Sequence, residues 1–174
     1  MDDRLIFLDI DGVLNSRKHL DFRGTPEGRI LREKLMGEHK GITGIELVML
    51  DHALVKRFFR FVVDSGCKVV ISSTWREGNT PSHFETLFAL CGAELPVGTI
   101  VGLTPILEDI HENRRGHEIN QWIVENNYRG HYVVLDDGDR QFLPEQILIK
   151  TDYSVGLTEE DIQKIREIFC INSM

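Results

Sequence analysis

Residues 5–14 of the chain read LIFLDIDGVL, a short apolar run that ends in two aspartates and a glycine. The four apolar residues Leu5–Leu8 predict a strand buried on both faces, as in a parallel sheet. Asp9 and Asp11 follow at the carboxyl end of that strand, where α/β sheets bind their ligands. Asp and Gly also favour solvated turns, so this segment alone leaves both interpretations open.

Two later apolar runs end in polar residues in the same way. They are Lys68–Ile71, which precedes Ser72 and Ser73, and His131–Leu135, which precedes Asp136 and Asp137. Because the carboxyl ends of parallel strands meet at one edge of a sheet, we expect the three polar segments to converge there. A solvated turn explains three such segments less well than it explains one.

Segments with helical periodicity alternate with these runs. Four helices are predicted. The first begins at the Asp51 cap and ends at Gly66, and the second begins at a Ser82/Glu85 capping box and ends near Cys91. The third includes Ile119 and Trp122 and ends near Asn126, and the fourth begins at the Thr158 cap. A loop that could include short strands precedes Asn113, and a fourth strand is predicted at Ile147–Ile149. This alternation predicts an α/β fold with a mainly parallel central sheet.

Residues 16–50 lack a clean apolar period and contain several glycines, which predicts turns and loops. We interpret them as a small cap-like insertion after the first strand of a single domain, residues 1–174. Between Ser16 and Lys40 the segment has seven basic and four acidic residues, a net +3 in a chain of net charge −8. One hypothesis is that it overhangs the site and attracts an anionic substrate, and a solvated charged loop is the alternative.

The composition limits the classes of function. A chain of 174 residues with 41% hydrophobic and 28% charged residues suits one globular domain. Its 28 acidic against 20 basic residues argue against a general nucleic-acid coat or a peripheral protein on anionic membranes. The three cysteines form no CxxC pair, which disfavours a zinc site. The sequence has no signal-peptide pattern or membrane-spanning run, so we expect a cytoplasmic protein.

The carboxylates predict a metal. If the strand ends converge, Asp9, Asp11, Asp136 and Asp137 would repel one another. A divalent cation relieves that repulsion, and a site made only of oxygen ligands selects a hard ion such as Mg²⁺. Protein-bound Mg²⁺ commonly uses one or two carboxylates together with phosphate oxygens of a substrate. The sequence therefore predicts a Mg²⁺ site and a phosphorylated substrate.

Taken together, these motifs resemble those of the haloacid dehalogenase-like (HAD) phosphatases. The matching motifs are, in chain order, DIDGVL at residues 9–14, Ser72 after an apolar strand, Arg115 at a helix start, and the acidic pair Asp136-Asp137. The longer strings DIDGVLN, SSTWR, RRGHEINQWI and VVLDDGD are similar to a small-cap group that includes HAD domains associated with RNA-repair proteins. The resemblance implies a Rossmann-like three-layer sandwich.

The resemblance also implies a phosphomonoester hydrolase with a covalent intermediate. Asp9 would be the nucleophile that forms an aspartyl-phosphate, and Asp11 the general acid and then the general base. Ser72 would hydrogen-bond a phosphoryl oxygen, and Arg115 would neutralise negative charge on the phosphoryl group. The Mg²⁺ ligands would come from Asp9, the backbone carbonyl of Asp11, and Asp136 or Asp137.

For two of the motifs, the adjacent residue in the sequence could fill the same role. Ser73 could replace Ser72 in the second motif, and Arg114 could replace Arg115 in the third. The residues predicted to bind substrate are Ser73, Thr74, Arg76, Arg114 and Asn15.

Trp75 and Arg76 follow the second motif directly. At the rim of a cleft they could stack a base and clamp a phosphate, whereas Trp75 could instead fill the core. The substrates that fit are a small phosphomonoester, a nucleotide or the phosphorylated end of a nucleic acid. A phosphoprotein such as a phosphotyrosine peptide is an alternative, as is a catalytically silent HAD-fold domain used for binding. Retention of Asp9 opposes the silent domain.

Overall fold

The computed structural model describes residues 4–39 and 41–171 of the chain. Its strands are β1 (Arg4–Leu8), β2 (Lys68–Ile71), β3 (Ile100–Leu103), β4 (His131–Asp136) and β5 (Leu148–Lys150). They form one five-stranded parallel sheet in the order β3-β2-β1-β4-β5. The predicted α/β fold with a parallel central sheet is confirmed, and the strand predicted at Ile147–Ile149 lies one residue later.

Helices cover both faces of this sheet. They are α1 (Arg17–Phe22), α2 (Pro26–Glu38), α3 (Ile42–Met49), α4 (His52–Ser65), α5 (Pro81–Leu90), α6 (Arg114–Glu125) and α7 (Glu159–Ile168). On one face Trp122 of α6 packs with Leu5 and Phe7, and on the other Ile6 and Leu8 join a larger cluster that includes residues of α4, α5 and α7. This alternation along β1 gives the predicted three layers. Within the described residues, no helix combines the length and apolar character that membrane crossing requires.

The strand register brings the polar segments together. Leu8 of β1 pairs with the last apolar residues of β2 and β4. Beyond it, the amide of Ser72 donates to the carbonyl of Leu8 (2.8 Å), and the amide of Asp9 donates to the carbonyl of Leu135 (2.9 Å). Asp9, Ser72 and Asp136 therefore lie level with one another at the carboxyl edge of the sheet.

The ends of α4 are those that the sequence predicts. The Asp51 carboxylate accepts hydrogen bonds from the amides of Ala53 (2.9 Å) and Leu54 (3.4 Å), so it satisfies donors of the first turn. Gly66 ends the helix with a φ of 68°, in the left-handed region that glycine adopts without strain.

The predicted start of α5 is wrong. Thr80, and not Ser82, is the N-cap: its hydroxyl oxygen accepts a hydrogen bond from the amide of His83 (3.3 Å). The Glu85 carboxylate does not complete a capping box, because it accepts from the amide of Gly98 (3.0 Å) instead. The sequence Thr80-Pro81 supplies a cap and an N1 proline, so the helix begins two residues before the predicted Ser82 cap would place it.

The loops predicted between β1 and α4 are also wrong, because α1, α2 and α3 occupy this segment. Thr25 caps α2 by accepting from the amide of Gly28 (3.1 Å). The helix buries only Gly28 and Leu35 and leaves Ile30 68% exposed, so no apolar stripe marks it in the sequence. Lys40, which contributes to the predicted charge of this insertion, lies outside the described residues.

Candidate active site

Three carboxylates meet at the carboxyl edge of the sheet. One oxygen atom from each of Asp9, Asp136 and Asp137 lies within 4.8 Å of the other two. Asp9 and Asp136 are buried, with 5% and 6% of their surface exposed. They line a pocket of about 260 Å³ together with Arg115 and residues 137–142, which we call the acidic pocket. The convergence expected from the sequence is therefore observed for the first and last motifs.

The acidic pocket concentrates negative charge that burial makes unfavourable. Burial raises the pKa of Asp9, Asp136 and Asp137, and the pKa of Asp136 reaches about 7 because the charge of Asp9 adds to the effect of burial. For Asp9, the nearby Arg115 opposes burial by favouring the charged form, which limits the rise in its pKa. Proximate buried carboxylates with oxygen-only donors fit a hard divalent cation, which would remove the repulsion. The residues present therefore suit Mg²⁺.

Gly12 lets the backbone pass close to these carboxylates. Its φ of 71° is left-handed, and a Cβ atom at this position would collide with the carboxylate of Asp137. The loop is fixed on both sides, since the amide of Gly12 donates to Asn15 Oδ1 (2.8 Å) and its carbonyl accepts from Thr151 Oγ1 (2.8 Å). Both the conformation and the space therefore require glycine.

Arg115 places a positive charge beside Asp9. Its NH1 atom lies 3.5 Å from Oδ1 of Asp9. Neither atom makes a hydrogen bond, and the buried hydroxyl of Ser72 also has no partner among the described residues. Buried polar groups are normally paired, so these three indicate a place for a polar ligand. Arg114, the alternative for the third motif, instead binds Glu118 through its Nε atom (3.0 Å).

The two serines of the second motif have different surroundings. Ser73 is fully buried, its hydroxyl oxygen accepts from the amide of Trp75 (3.5 Å), and its side chain lies near enough to Asp9 to act against the rise in the pKa of that carboxyl. Ser72 retains an unpaired hydroxyl level with Asp9. Of the two serines, Ser72 is therefore the one whose hydroxyl makes no hydrogen bond within the described residues and is available to a ligand. Thr74 is exposed at the start of a short 3-10 turn, Thr74–Arg76.

The carboxylate of Asp11 is held at both oxygen atoms. Asn15 Nδ2 donates to Oδ1 (2.7 Å) and Trp75 Nε1 donates to Oδ2 (2.9 Å). The other end of the buried Asn15 amide accepts from Gly12, so Asn15 braces the loop and is not placed as the predicted substrate ligand. The bond from Trp75 is a contact that the sequence analysis missed, because a lone tryptophan 64 residues away gives no signal of its partner.

Arg76 is placed differently from its prediction as a substrate phosphate clamp. It is buried, and its NH2 atom lies 2.6 Å from Oε2 of Glu118 on α6. The guanidinium also donates to three backbone carbonyls: from Nε to Thr104 (2.9 Å), from NH1 to Ser73 (2.7 Å) and from NH2 to Pro105 (3.1 Å). These bonds occupy the planar fork, so Arg76 fastens the second-motif loop to its surroundings. Glu118 is the residue that the sequence analysis missed here.

A comparison with known families agrees with this geometry. The model of the HAD domain in Swiss Army Knife RNA repair proteins matches residues 5–162. No significant match was found among curated proteins or solved structures. The matched segment runs from β1 into α7 and includes the acidic pocket. The resemblance predicted from the motifs is thereby confirmed: the chain belongs to the family of HAD domains that occurs in Swiss Army Knife RNA repair proteins.

Proposed function

We propose that the protein is a Mg²⁺-dependent phosphomonoester hydrolase that uses Asp9 as its nucleophile. The family supports a HAD-type hydrolase in general. The observation that carries the finer proposal is the contact between Oδ1 of Asp9 and NH1 of Arg115 (3.5 Å), two buried atoms that make no hydrogen bond and lie next to the carboxylates of Asp136 and Asp137. This arrangement joins a nucleophile, a cation and metal ligands in one pocket.

Mg²⁺ would be held by the carboxylates of Asp9, Asp136 and Asp137 and by the backbone carbonyl of Asp11. When bound, it would offset the negative charge of these carboxylates and of the substrate phosphoryl group. The raised pKa values of the three carboxylates support this assignment, because a buried anionic cluster without a counter-ion is unfavourable.

In the first step, an oxygen of Asp9 attacks the phosphorus in line with the leaving group. The bond from phosphorus to the leaving oxygen breaks, and that oxygen takes a proton from Asp11. The hydrogen bonds from Asn15 and Trp75 hold the carboxyl group of Asp11 in one orientation, which positions it to deliver this proton to the leaving oxygen. The product of this step is an aspartyl-phosphate on Asp9.

In the second step, Asp11 acts as the base. It removes a proton from a water molecule, which attacks the phosphorus and releases inorganic phosphate, so that the Asp9 carboxylate is restored. The guanidinium of Arg115 and the hydroxyl of Ser72 donate to phosphoryl oxygens in both steps. Because these donors are in place before substrate binds, they stabilise the transition state without reorganisation.

We further propose a nucleotide or the terminal phosphate of a nucleic acid as the substrate. The description of the family, which places these domains in RNA repair proteins, supports this class. The acidic pocket is small, about 260 Å³, which suits a phosphoryl group better than a whole nucleotide. The rest of such a substrate would lie outside the pocket.

Hydrolysis of an aryl phosphate tests the chemical proposal. The comparison is between wild type, Asp9→Asn and Asp64→Asn, each with Mg²⁺ and with a chelator. Asp64 is a matched control because it is an aspartate of α4 whose side chain is half-exposed and pairs with Arg60. We expect metal-dependent activity that Asp9→Asn loses and Asp64→Asn keeps. Full activity of Asp9→Asn would refute the proposal.

A further inference from the structure

A second concave surface lies on the helical insertion. It has a volume of about 630 Å³ and is lined by Arg23, Gly24, Arg29, Arg32, Glu33 and Met36, which we call the arginine groove. It shares no lining residue with the acidic pocket, so it is a separate surface. Three guanidinium groups against one carboxylate make it locally positive in a chain of net charge −8.

The arginines of the groove lack acidic partners. Among the residues that the structure describes, Arg23, Arg29 and Arg32 have no carboxylate within 4.0 Å of their side-chain nitrogens. Arg23 instead donates from NH1 to the thioether of Met49 (2.8 Å), which is a weak acceptor, and its Nε atom is buried without a partner. Guanidinium groups without acidic partners can donate charge-assisted hydrogen bonds to the oxygens of an anionic ligand.

A second arginine-lined groove shows that this arrangement is not general to the surface. That groove, between α4 and α7, is lined in part by Arg57, Arg60 and Arg166. There Arg57 pairs with Glu159 (3.0 Å), Arg60 approaches Asp64 (3.9 Å), and Arg166 lies over the ring of Phe61 (5.0 Å). Each arginine of this second groove, which we call the compensated groove, therefore has a carboxylate or an aromatic ring as a partner, whereas among the described residues no arginine of the arginine groove has a carboxylate partner.

We propose that the arginine groove binds the phosphodiester backbone of a single-stranded nucleic acid. Arg29 and Arg32 are three residues apart on α2, so they project from the same side of the helix and can contact neighbouring phosphates. Met36, 38% exposed, adds apolar surface that suits the unpaired bases of a single strand. The inference rests on the proposed function, since it names the class of molecule whose terminal phosphate the acidic pocket would remove.

Binding of an oligonucleotide tests the inference apart from catalysis. The probe is a fluorescein-labelled single strand of about 12 nucleotides without a terminal phosphate, in RNA and DNA forms, measured by anisotropy over a range of salt. The test variant is Arg29→Gln/Arg32→Gln. The matched control is Arg60→Gln/Arg166→Gln, which removes two charges from the compensated groove. Thermal unfolding of each variant checks that it folds.

We expect the test variant to bind about tenfold more weakly at about 0.1 M salt, and the slope of log K against log salt to fall by about 1.4, or 0.7 for each lost phosphate contact. The control should keep the affinity and slope of the wild type. Equal losses of affinity in both variants would overturn the inference, because binding would then depend only on the net charge of the protein. No loss of affinity in the test variant would also overturn it, because Arg29 and Arg32 would then not contact the strand.

Kinetics separate this inference from the proposed function. The test variant should hydrolyse an aryl phosphate like the wild type and show a raised KM for an oligonucleotide with a terminal phosphate. A wild type inert on all phosphomonoesters that still binds the strand through Arg29 and Arg32 would refute the hydrolase and leave the binding site standing. If the protein is a hydrolase and its KM for the oligonucleotide is the same in the wild type and in Arg29→Gln/Arg32→Gln, the binding site alone would be refuted.

Discussion

The buried carboxylate of Asp136 should destabilise the metal-free protein at alkaline pH. Its pKa rises from 3.8 to about 7, mainly through burial and next through the charge of Asp9. A difference of about 3 pKa units corresponds to roughly 4 kcal/mol of lost folding free energy once the group is charged, as an upper limit. Because the folded pKa lies above the unfolded one, this loss is full above pH 7 and disappears as the pH falls towards 4.

Asp136→Asn tests this magnitude. The asparagine removes the charge and keeps an oxygen that can accept the amide of Gly138, which lies 2.7 Å from Oδ1 of Asp136. In the presence of a chelator, we expect the variant to be more stable than the wild type by roughly 1–4 kcal/mol at pH 8, with little difference at pH 4. Urea unfolding at the two pH values measures the difference. Asp64→Asn, whose carboxylate is half-exposed, should show no comparable pH-dependent gain.

Mg²⁺ provides the second half of the same experiment. The ion should stabilise the wild type at pH 8 in proportion to the logarithm of its concentration above Kd, and Asp136→Asn should lose most of this effect. A stability difference between variant and wild type that is the same at pH 4 and pH 8 would refute the reasoning, since its source would not be the charge of Asp136. Equal stabilisation of both proteins by Mg²⁺ would refute its role as a ligand.

Three further predictions follow from single contacts. Trp75→Phe removes one of the two donors that hold the carboxyl group of Asp11, so it should lower kcat/KM for alkyl phosphates by about tenfold. Aryl phosphates should be spared, because their leaving groups need little protonation. A series of substrates with different leaving groups measures this, and an equal loss for both kinds of substrate would contradict it. Gly12→Ala should cost about 1–3 kcal/mol of stability and weaken Mg²⁺ binding in calorimetry, since the new Cβ displaces Asp137; unchanged Mg²⁺ affinity would refute it. Glu118→Gln should lower stability by about 3–5 kcal/mol in urea unfolding by leaving a buried guanidinium uncompensated, whereas a surface variant such as Asp64→Asn should not.

The sheet and the acidic pocket could be predicted from the sequence because both depend on short-range patterns. Continuous apolar runs mark buried parallel strands, and acidic residues directly after two of them fall at one edge by topology alone. Asp9 and the pair Asp136-Asp137 were therefore placed correctly relative to each other. The parallel register of β1 and β2 then places Ser72 level with Asp9.

The insertion and the supporting contacts could not be predicted in the same way. Helix α2 has a capping residue but buries only Gly28 and Leu35. Because apolar residues such as Ile30 are exposed, the sequence of α2 shows no apolar stripe that would predict its buried face. The role of Arg76 depends on Glu118, which lies 42 positions away and is ordinary by local sequence. Hydrogen bonds between distant side chains are properties of the packed fold, so local patterns carry no record of them.

Trapping the phosphorylated protein tests the central claim most directly. Asp11→Asn is mixed with an aryl phosphate labelled on phosphorus in the presence of Mg²⁺ and quenched in acid, since the good leaving group permits the first step while the missing base slows the second. The account predicts labelled protein with the phosphoryl group on the peptide that contains Asp9, and no label when Asp9→Asn is added to the same variant. Label on any other residue, or release of phosphate at the wild-type rate without labelled protein, would contradict it.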